Sequence, residues 1–264
     1  MPSHYTSMAA ALFFATASQV PAQRPAQTDN KEAVKLYIPY EKYTQADNER
    51  TIKLFDGLRV ADVSDGMDAV GLADVGLMST DIKTLWRDTD NFTHQVRGIA
   101  VTCRYVPTNK RQDKMLDEDV SRWYRELTSE AFTSVLHPGS VLVIDGDEDG
   151  DTRTIGSSNI KQWVKRGAVG VVTSGGVGDT DEIIHQKIPL YYKQLGRGFR
   201  PGRNELESVN RPVTMGGVLV RPGDVIIADG DGVIVVPREH AEAVARESRP
   251  YLDNIGLDRM KKKQ

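Results

Sequence analysis

Residues 166–187 read RGAVGVVTSGGVGDTDEIIHQK. An apolar, strand-like run from Ala168 to Val172 breaks at Gly175-Gly176, and a helix-like segment opens on Asp179-Thr180-Asp181-Glu182. A strand that stops at paired glycines lets a ligand come close to the backbone. Acids at a helix start sit where negative charge is tolerated, and carboxylate oxygens are the ligands that hard cations take. Asp179 is therefore the first candidate for chemistry.

On the upstream side, HPGSVLVID (137–145) reads as a turn and a buried strand, and 158–166 as a short helix. GIAVTCRYVP (98–107) reads as a strand ended by Pro107. Val120, Trp123, Leu127, Phe132 and Val135 have helical spacing over 118–136. Ile52, Phe55 and Leu58 mark one helix face, and Val63, Met67 and Val70 a second apolar set. Downstream, RGFRPGRNE (197–205) is a basic, glycine-interrupted loop. PVTMGGVLVRPGDVIIADGDGVIVVP (212–237) then predicts short strands joined by glycine turns, and Pro237 opens a last helix. Strand–helix alternation followed by a β-rich end predicts one mixed α/β domain over 49–264, preceded by a polar arm at 23–48.

The 264 residues carry 34 basic and 37 acidic side chains, a formal charge of −3 that gives no nucleic-acid footprint. The KKK run at 261–263 reads as a solvated tail. Cys103, the one cysteine, allows no internal disulfide and reads as a core thiol. Residues 1–22 contain no Lys, Arg, Asp or Glu, and Met8 to Ala17 is an apolar run followed by small residues at Val20-Pro21-Ala22. That pattern predicts a cleaved signal peptide and a periplasmic or secreted chain, with a disordered extension on a cytoplasmic protein as the alternative. Nothing in the chain is long and apolar enough to be read as a transmembrane span.

Several motifs fail on inspection. DGDEDG (145–150) imitates the start of an EF-hand loop, but its twelfth position is Gly156, where a bidentate Glu is needed. No dinucleotide fingerprint follows a strand, and there is neither a P-loop nor a GxSxG elbow. His185 lies four residues after Asp181, yet no further zinc ligands are evident, and His240 reads as a surface residue. Gly156-Ser157-Ser158-Asn159 precedes a helix. Its amides are an anion site in one reading, and Ser157 or Ser158 simply caps the helix in the other.

HPGSVLVIDG, GAVGVVTSGGVGD and PVTMGGVLVRPGDVIIADGDGVIVVP, in this order and spacing, resemble the RraA-like family over roughly residues 50 to 240. That family includes the regulator of ribonuclease E activity A and the class II 4-hydroxy-4-methyl-2-oxoglutarate aldolases, which also decarboxylate oxaloacetate. The resemblance implies a compact α/β sandwich of the swivelling-domain type with mixed sheets, assembled as a homotrimer or hexamer. In the aldolases an acid is followed after twenty residues by Arg-Asp. The Asp holds a divalent metal, usually magnesium with manganese as a variant, the Arg pairs with the substrate, and loop amides bind pyruvate. Carried onto this chain, Asp179 keeps the metal position and Gly156, Ser157, Ser158 and Asn159 form the substrate loop. Gly178 stands in place of the Arg and Ser157 in place of the first acid.

Losing that Arg removes a bidentate, charge-assisted anchor. Arg197, Arg200 and Arg203 in the 197–205 loop are the candidate replacements, with Arg200 and Arg203 assigned catalytic roles beside Asp179, and Asp181, Glu182 or Glu205 as acid/base. The expected function is metal-dependent aldol cleavage or decarboxylation of a small anionic 2-oxo acid. The alternatives are a non-catalytic regulatory ring, favoured by Gly178 and Ser157, and an altered reaction on an anionic substrate.

Overall fold

The structure, a computed structural model, describes residues 30–39, 42–110, 116–146 and 150–255. The predicted signal peptide, the lysine run at 261–263 and the acids at 147–149 lie outside the described residues. The elements in chain order are β1 (Leu36–Tyr37), α1 (Gln45–Leu54), α2 (Val60–Ala69), β2 (Lys83–Thr84), β3 (Val96–Pro107), α3 (Asp117–Glu126) and β4 (Ser140–Asp145). Next come β5 (Arg153–Ile155), α4 (Ser157–Lys165), β6 (Ala168–Thr173), β7 (Gly176–Val177), α5 (Thr180–His185) and β8 (Leu190–Tyr192). The chain closes with β9 (Asn204–Val209), β10 (Val213–Met215), β11 (Val218–Val220), β12 (Val225–Asp229), β13 (Gly232–Val236) and α6 (Ala241–Ile255).

The mixed α/β expectation is borne out. Among the described residues one sheet runs β1-β9-β3-β4-β6-β8-β2, with the β12–β13 hairpin also joined to β3. β3, β4, β6 and β8 are mutually parallel, and α3, α4 and α5 lie in the successive crossovers that parallel neighbours need. β3 is long enough to serve two partners on its other side. Residues 96–99 pair antiparallel with β12, and 103–107 with β9.

Both faces of the sheet's centre are covered, so β4 and β6 carry near-continuous apolar runs, residues 141–144 and 171–172, and do not alternate. Leu142 and Ile144 of β4 pack with Phe132, Ile160, Trp163 and Ile183 on one face, where Cys103 also lies fully buried. Val141 and Val143 face the β10–β11 hairpin and the inner side of β12 and β13. A third cluster joins α2 and α6 to β13.

Two elements depart from the sequence reading. The helix expected over 118–136 ends at Glu126 and resumes only as a 3₁₀ turn, Ala131–Ser134. The break frees the Leu127 carbonyl to accept from the Leu206 amide at 2.7 Å and places Glu130 in the interior. Within the polar arm, Leu36 and Tyr37 add a parallel strand beside Ser208 and Val209.

Candidate functional site

Because β4, β6 and β8 run the same way, their carboxyl ends share one edge, the place where open α/β sheets bind ligands. Here the chain leaving β4 returns as β5, which lies parallel to β7 on one side and is bridged through Thr152 to Gly198 on the other. The backbones are pressed together. A Cβ on Gly176 would sit 2.1 Å from the Thr152 carbonyl oxygen, and one on Gly196 2.2 Å from the same atom. The paired glycines read from the sequence therefore admit backbone at this point, not ligand.

Asp179 follows β7 directly. It caps α5 in the left-handed region (φ 52°, ψ 38°), a conformation that Asp tolerates and that costs most residues about 1–2 kcal/mol. Its carboxylate does not cap its own helix. Oδ2 accepts from the Ser157 amide at 3.1 Å, the first residue of α4, and Oδ1 accepts from Nη1 of Arg153 at 2.8 Å. Both side chains of the ion pair are 26% exposed. The amino end of α4 is thus capped by a distant aspartate, since its N-cap, Gly156, has no side chain to offer. Of the two sequence readings of the GSSN loop, capping by Ser157 or Ser158 is replaced by this longer-range cap.

Glycine at 156 is a matter of room. A Cβ there would lie 2.7 Å from Asp179 Oδ2. Gly178 is the same case. A Cβ on it would meet Cδ of Arg153 at 2.2 Å and Cγ at 2.8 Å. Neither glycine has a positive φ.

The loop arginines lie elsewhere. Arg200, expected to turn into a cleft, is 2% exposed. Its Nε donates to the Thr154 carbonyl at 3.0 Å, Nη1 to the Thr128 carbonyl at 3.3 Å and Nη2 to Glu130 at 3.1 Å, and the group stacks on Tyr105. Its pKa is raised, because burial, which opposes its charge, is outweighed by Tyr105 and Glu130. Arg203 is exposed, donates to the Phe199 carbonyl and stacks on that ring. Arg197 pairs on the surface with Asp151 at 2.7 Å. The loop nevertheless serves the site. The amides of Arg197 and Gly198 both donate to the Asp151 carbonyl, and Arg200 grips the Thr154 carbonyl, so β5 is held from both ends.

Glu130 completes that hold. Its carboxylate accepts from Asn159 of α4 and from Trp163 Nε1, and it answers Arg200. Glu205, an acid/base candidate, is engaged by Lys110 at 2.6 Å and by Thr108. Asp181, Glu182 and His185 are exposed on α5. Among the described residues no group of three Asp, Glu, His or Cys side chains surrounds a point where a metal ion could sit.

Sequence reasoning missed Arg153 and Glu130. Arg153 lies four residues before Ser157, but only the β5–β7 register shows that its stem crosses Gly178. Glu130 was hidden inside a predicted helix.

The sequence profile of the RraA-like family (Aldolase/RraA) matches residues 60–235, more than half of the chain. The chain belongs to the RraA-like family. Protein DlpA of Legionella pneumophila is 26% identical over 190 residues, 71% of this chain and 28% of that protein. A Halalkalibacterium halodurans protein named "Putative 4-hydroxy-4-methyl-2-oxoglutarate aldolase" is 31% identical over 115 residues, 42% of this chain and 53% of that one. In both, the matched stretch spans less than two thirds of the relative. Among solved structures, RraAS2 of Streptomyces coelicolor superposes with a TM-score of 0.65 at 21% identity, covering 84% of this chain and all of that one. A protein from Pseudomonas syringae gives 0.61 at 23%, covering 85% and 96%. These two establish the RraA fold.

Proposed function

We propose that this RraA-like chain is a lyase that cleaves or decarboxylates a small anionic 2-oxo acid through a pyruvate enolate, with a divalent metal ion as cofactor. The observation that carries the reading is the position of Asp179: a partly exposed carboxylate, on a left-handed turn directly after β7, aimed at the amino end of a nine-residue helix.

The donor set fits one kind of ion. Each Asp179 oxygen uses one acceptor position and retains another. With no cluster of three metal-ligating side chains among the described residues, the site suits an ion that keeps most of its water and binds through few protein ligands and substrate oxygens, which is magnesium chemistry. A divalent ion bound there would supply positive charge where negative charge develops on the enolate oxygen. Asp179 would hold the ion, and the first-turn amides of α4 beyond that of Ser157, beginning with Ser158, would offer an anionic substrate the positive end of the helix dipole. The relatives' names support the substrate class.

The departures at Ser157 and Gly178 favour a second reading, a non-catalytic regulatory assembly. The two separate in one assay: pyruvate release from oxaloacetate and from 4-hydroxy-4-methyl-2-oxoglutarate, with magnesium and then with EDTA. The lyase reading expects metal-dependent turnover that Asp179→Ala abolishes. Turnover no higher than the metal-only blank on both substrates would remove it. A homotrimer or hexamer is the proposed assembly, and a monomer by light scattering at micromolar concentration would contradict it.

A further inference from the structure

We infer that Arg153 is the substrate-binding guanidinium of this site, delivered from β5 through the space that a side chain at 178 would otherwise occupy; the inference rests on the lyase reading above. Three observations converge on it. First, Arg153 is under-used. Among the described residues its side chain has one polar partner, Asp179, through one of its five N–H donors. At 26% exposure the remaining donors are reachable from solvent. Every other arginine near the site is spent. Arg200 is saturated by two carbonyls and Glu130, Arg197 is forked on Asp151, and Arg203 is folded on Phe199.

Second, Arg153 and a residue larger than glycine at 178 exclude one another. Residue 178 has no positive φ, so what chiefly forbids a side chain there is the stem of Arg153 at 2.2 Å, with the Gly196 carbonyl oxygen a tight second neighbour at 3.0 Å. The site holds one side chain at this point, and in this chain that side chain starts at residue 153. Third, the pair is aimed. Asp179 fixes one arm of the guanidinium while its second oxygen is tied to the amino end of α4, so an anion reaching the free donors of Arg153 also meets the first turn of that helix. A planar fork facing a carboxylate binds it bidentately, which an ammonium cannot do.

The test uses the full chain with magnesium and two readouts: kcat/KM for oxaloacetate and 4-hydroxy-4-methyl-2-oxoglutarate, and calorimetric binding of oxalate, a planar dianion shaped like the enolate. Arg153→Met keeps the stem over Gly178 and removes the charge. It is expected to lower kcat/KM by about 10²–10³ and to weaken oxalate at least about tenfold, with unchanged thermal melting. Arg153→Lys is expected to recover less than tenfold. The exchange variant Arg153→Ala/Gly178→Arg is expected to regain at least tenfold over Arg153→Ala in both readouts, whereas Gly178→Arg alone should be defective. An Arg153→Met protein with wild-type kcat/KM and oxalate affinity overturns the inference, as does an exchange variant that melts normally and recovers nothing. The lyase reading fails separately. Oxalate binding that depends on Arg153 without turnover on either substrate removes the lyase and leaves Arg153, and turnover indifferent to Arg153→Met does the reverse. A wild-type chain that neither turns over nor binds oxalate removes both.

Discussion

Two arginine–carboxylate pairs meet neighbouring residues of β5 and have opposite characters. Arg200 and Glu130 are 2% and 6% exposed, and their polar atoms are met by Thr154, Thr128, Asn159 and Trp163. Arg153 and Asp179 are each 26% exposed and touch one another through one hydrogen bond. The first pair has spent its bonding capacity on the fold. The second keeps capacity that is open to solvent and to a ligand. Number of unused donors, more than charge or position in sequence, separates the structural arginine from the functional one.

The largest effect follows from breaking the buried pair. Removing one member leaves a desolvated charge without its partner, which costs about 3–5 kcal/mol. Arg200→Ala is expected to lose that much in denaturant unfolding, whereas Arg153→Met, whose pair is partly screened by solvent, should lose less than about 1 kcal/mol. If the two variants unfold at the same denaturant concentration, the contrast collapses.

Next comes Asp179→Asn. Asn accepts the left-handed conformation and keeps an oxygen for the Ser157 amide. Stability should therefore stay within about 1 kcal/mol of wild type, while kcat/KM falls by about 10²–10³. An Asn variant that unfolds early, with activity lost only in proportion, would make Asp179 a structural cap and nothing more.

A pair of intermediate exposure gives an intermediate effect. Asp62 is buried and Arg59 is 32% exposed. Burial pushes the Asp62 carboxyl up, but the side-chain and backbone bonds from Arg59 outweigh it and hold the group below its ordinary 3.8. A carboxylate with a depressed folded pKa stabilises above its unfolded value and loses that contribution as pH falls through the folded one. Asp62→Asn is expected to cost about 1–2 kcal/mol at pH 7, and the gap from wild type should close as pH drops below 3.8. A gap independent of pH between 7 and 2 would assign the loss to packing.

The fold was legible because its signals are local. Ala168 to Thr173 and Ser140 to Asp145 are unbroken apolar runs between turn residues, and the glycine turns of 212–237 fall between β10, β11, β12 and β13 as read. The break after Glu126 was not, since Leu127, Phe132 and Val135 keep helical spacing although the α-helix stops at Glu126 and only a 3₁₀ turn, Ala131–Ser134, follows. There a buried ion pair, formed with a residue 70 positions away, overrides the local pattern. The site was legible in half. Asp179 and the GSSN loop could be placed by spacing, but the cation beside Asp179 depends on which backbone β7 pairs with, and that is a tertiary fact. Reading the three loop arginines as replacements weighed their charge and could not weigh their partners.

Arg197 makes the last point, with the smallest effect. Its guanidinium forks onto Asp151, and both groups lie at the surface, 86% and 53% exposed. Exposed pairs are screened and pay side-chain entropy for what they gain. The part of this residue that matters is its amide, which with that of Gly198 donates to the Asp151 carbonyl and holds the start of β5. Arg197→Ala keeps the amide. Its unfolding midpoint and kcat/KM should match wild type, whereas Arg197→Pro, which deletes the N–H, should impair turnover by loosening the strand that carries Arg153. If alanine proves as damaging as proline, the loop contributes a cation after all, and the division between spent and available arginines has to be redrawn.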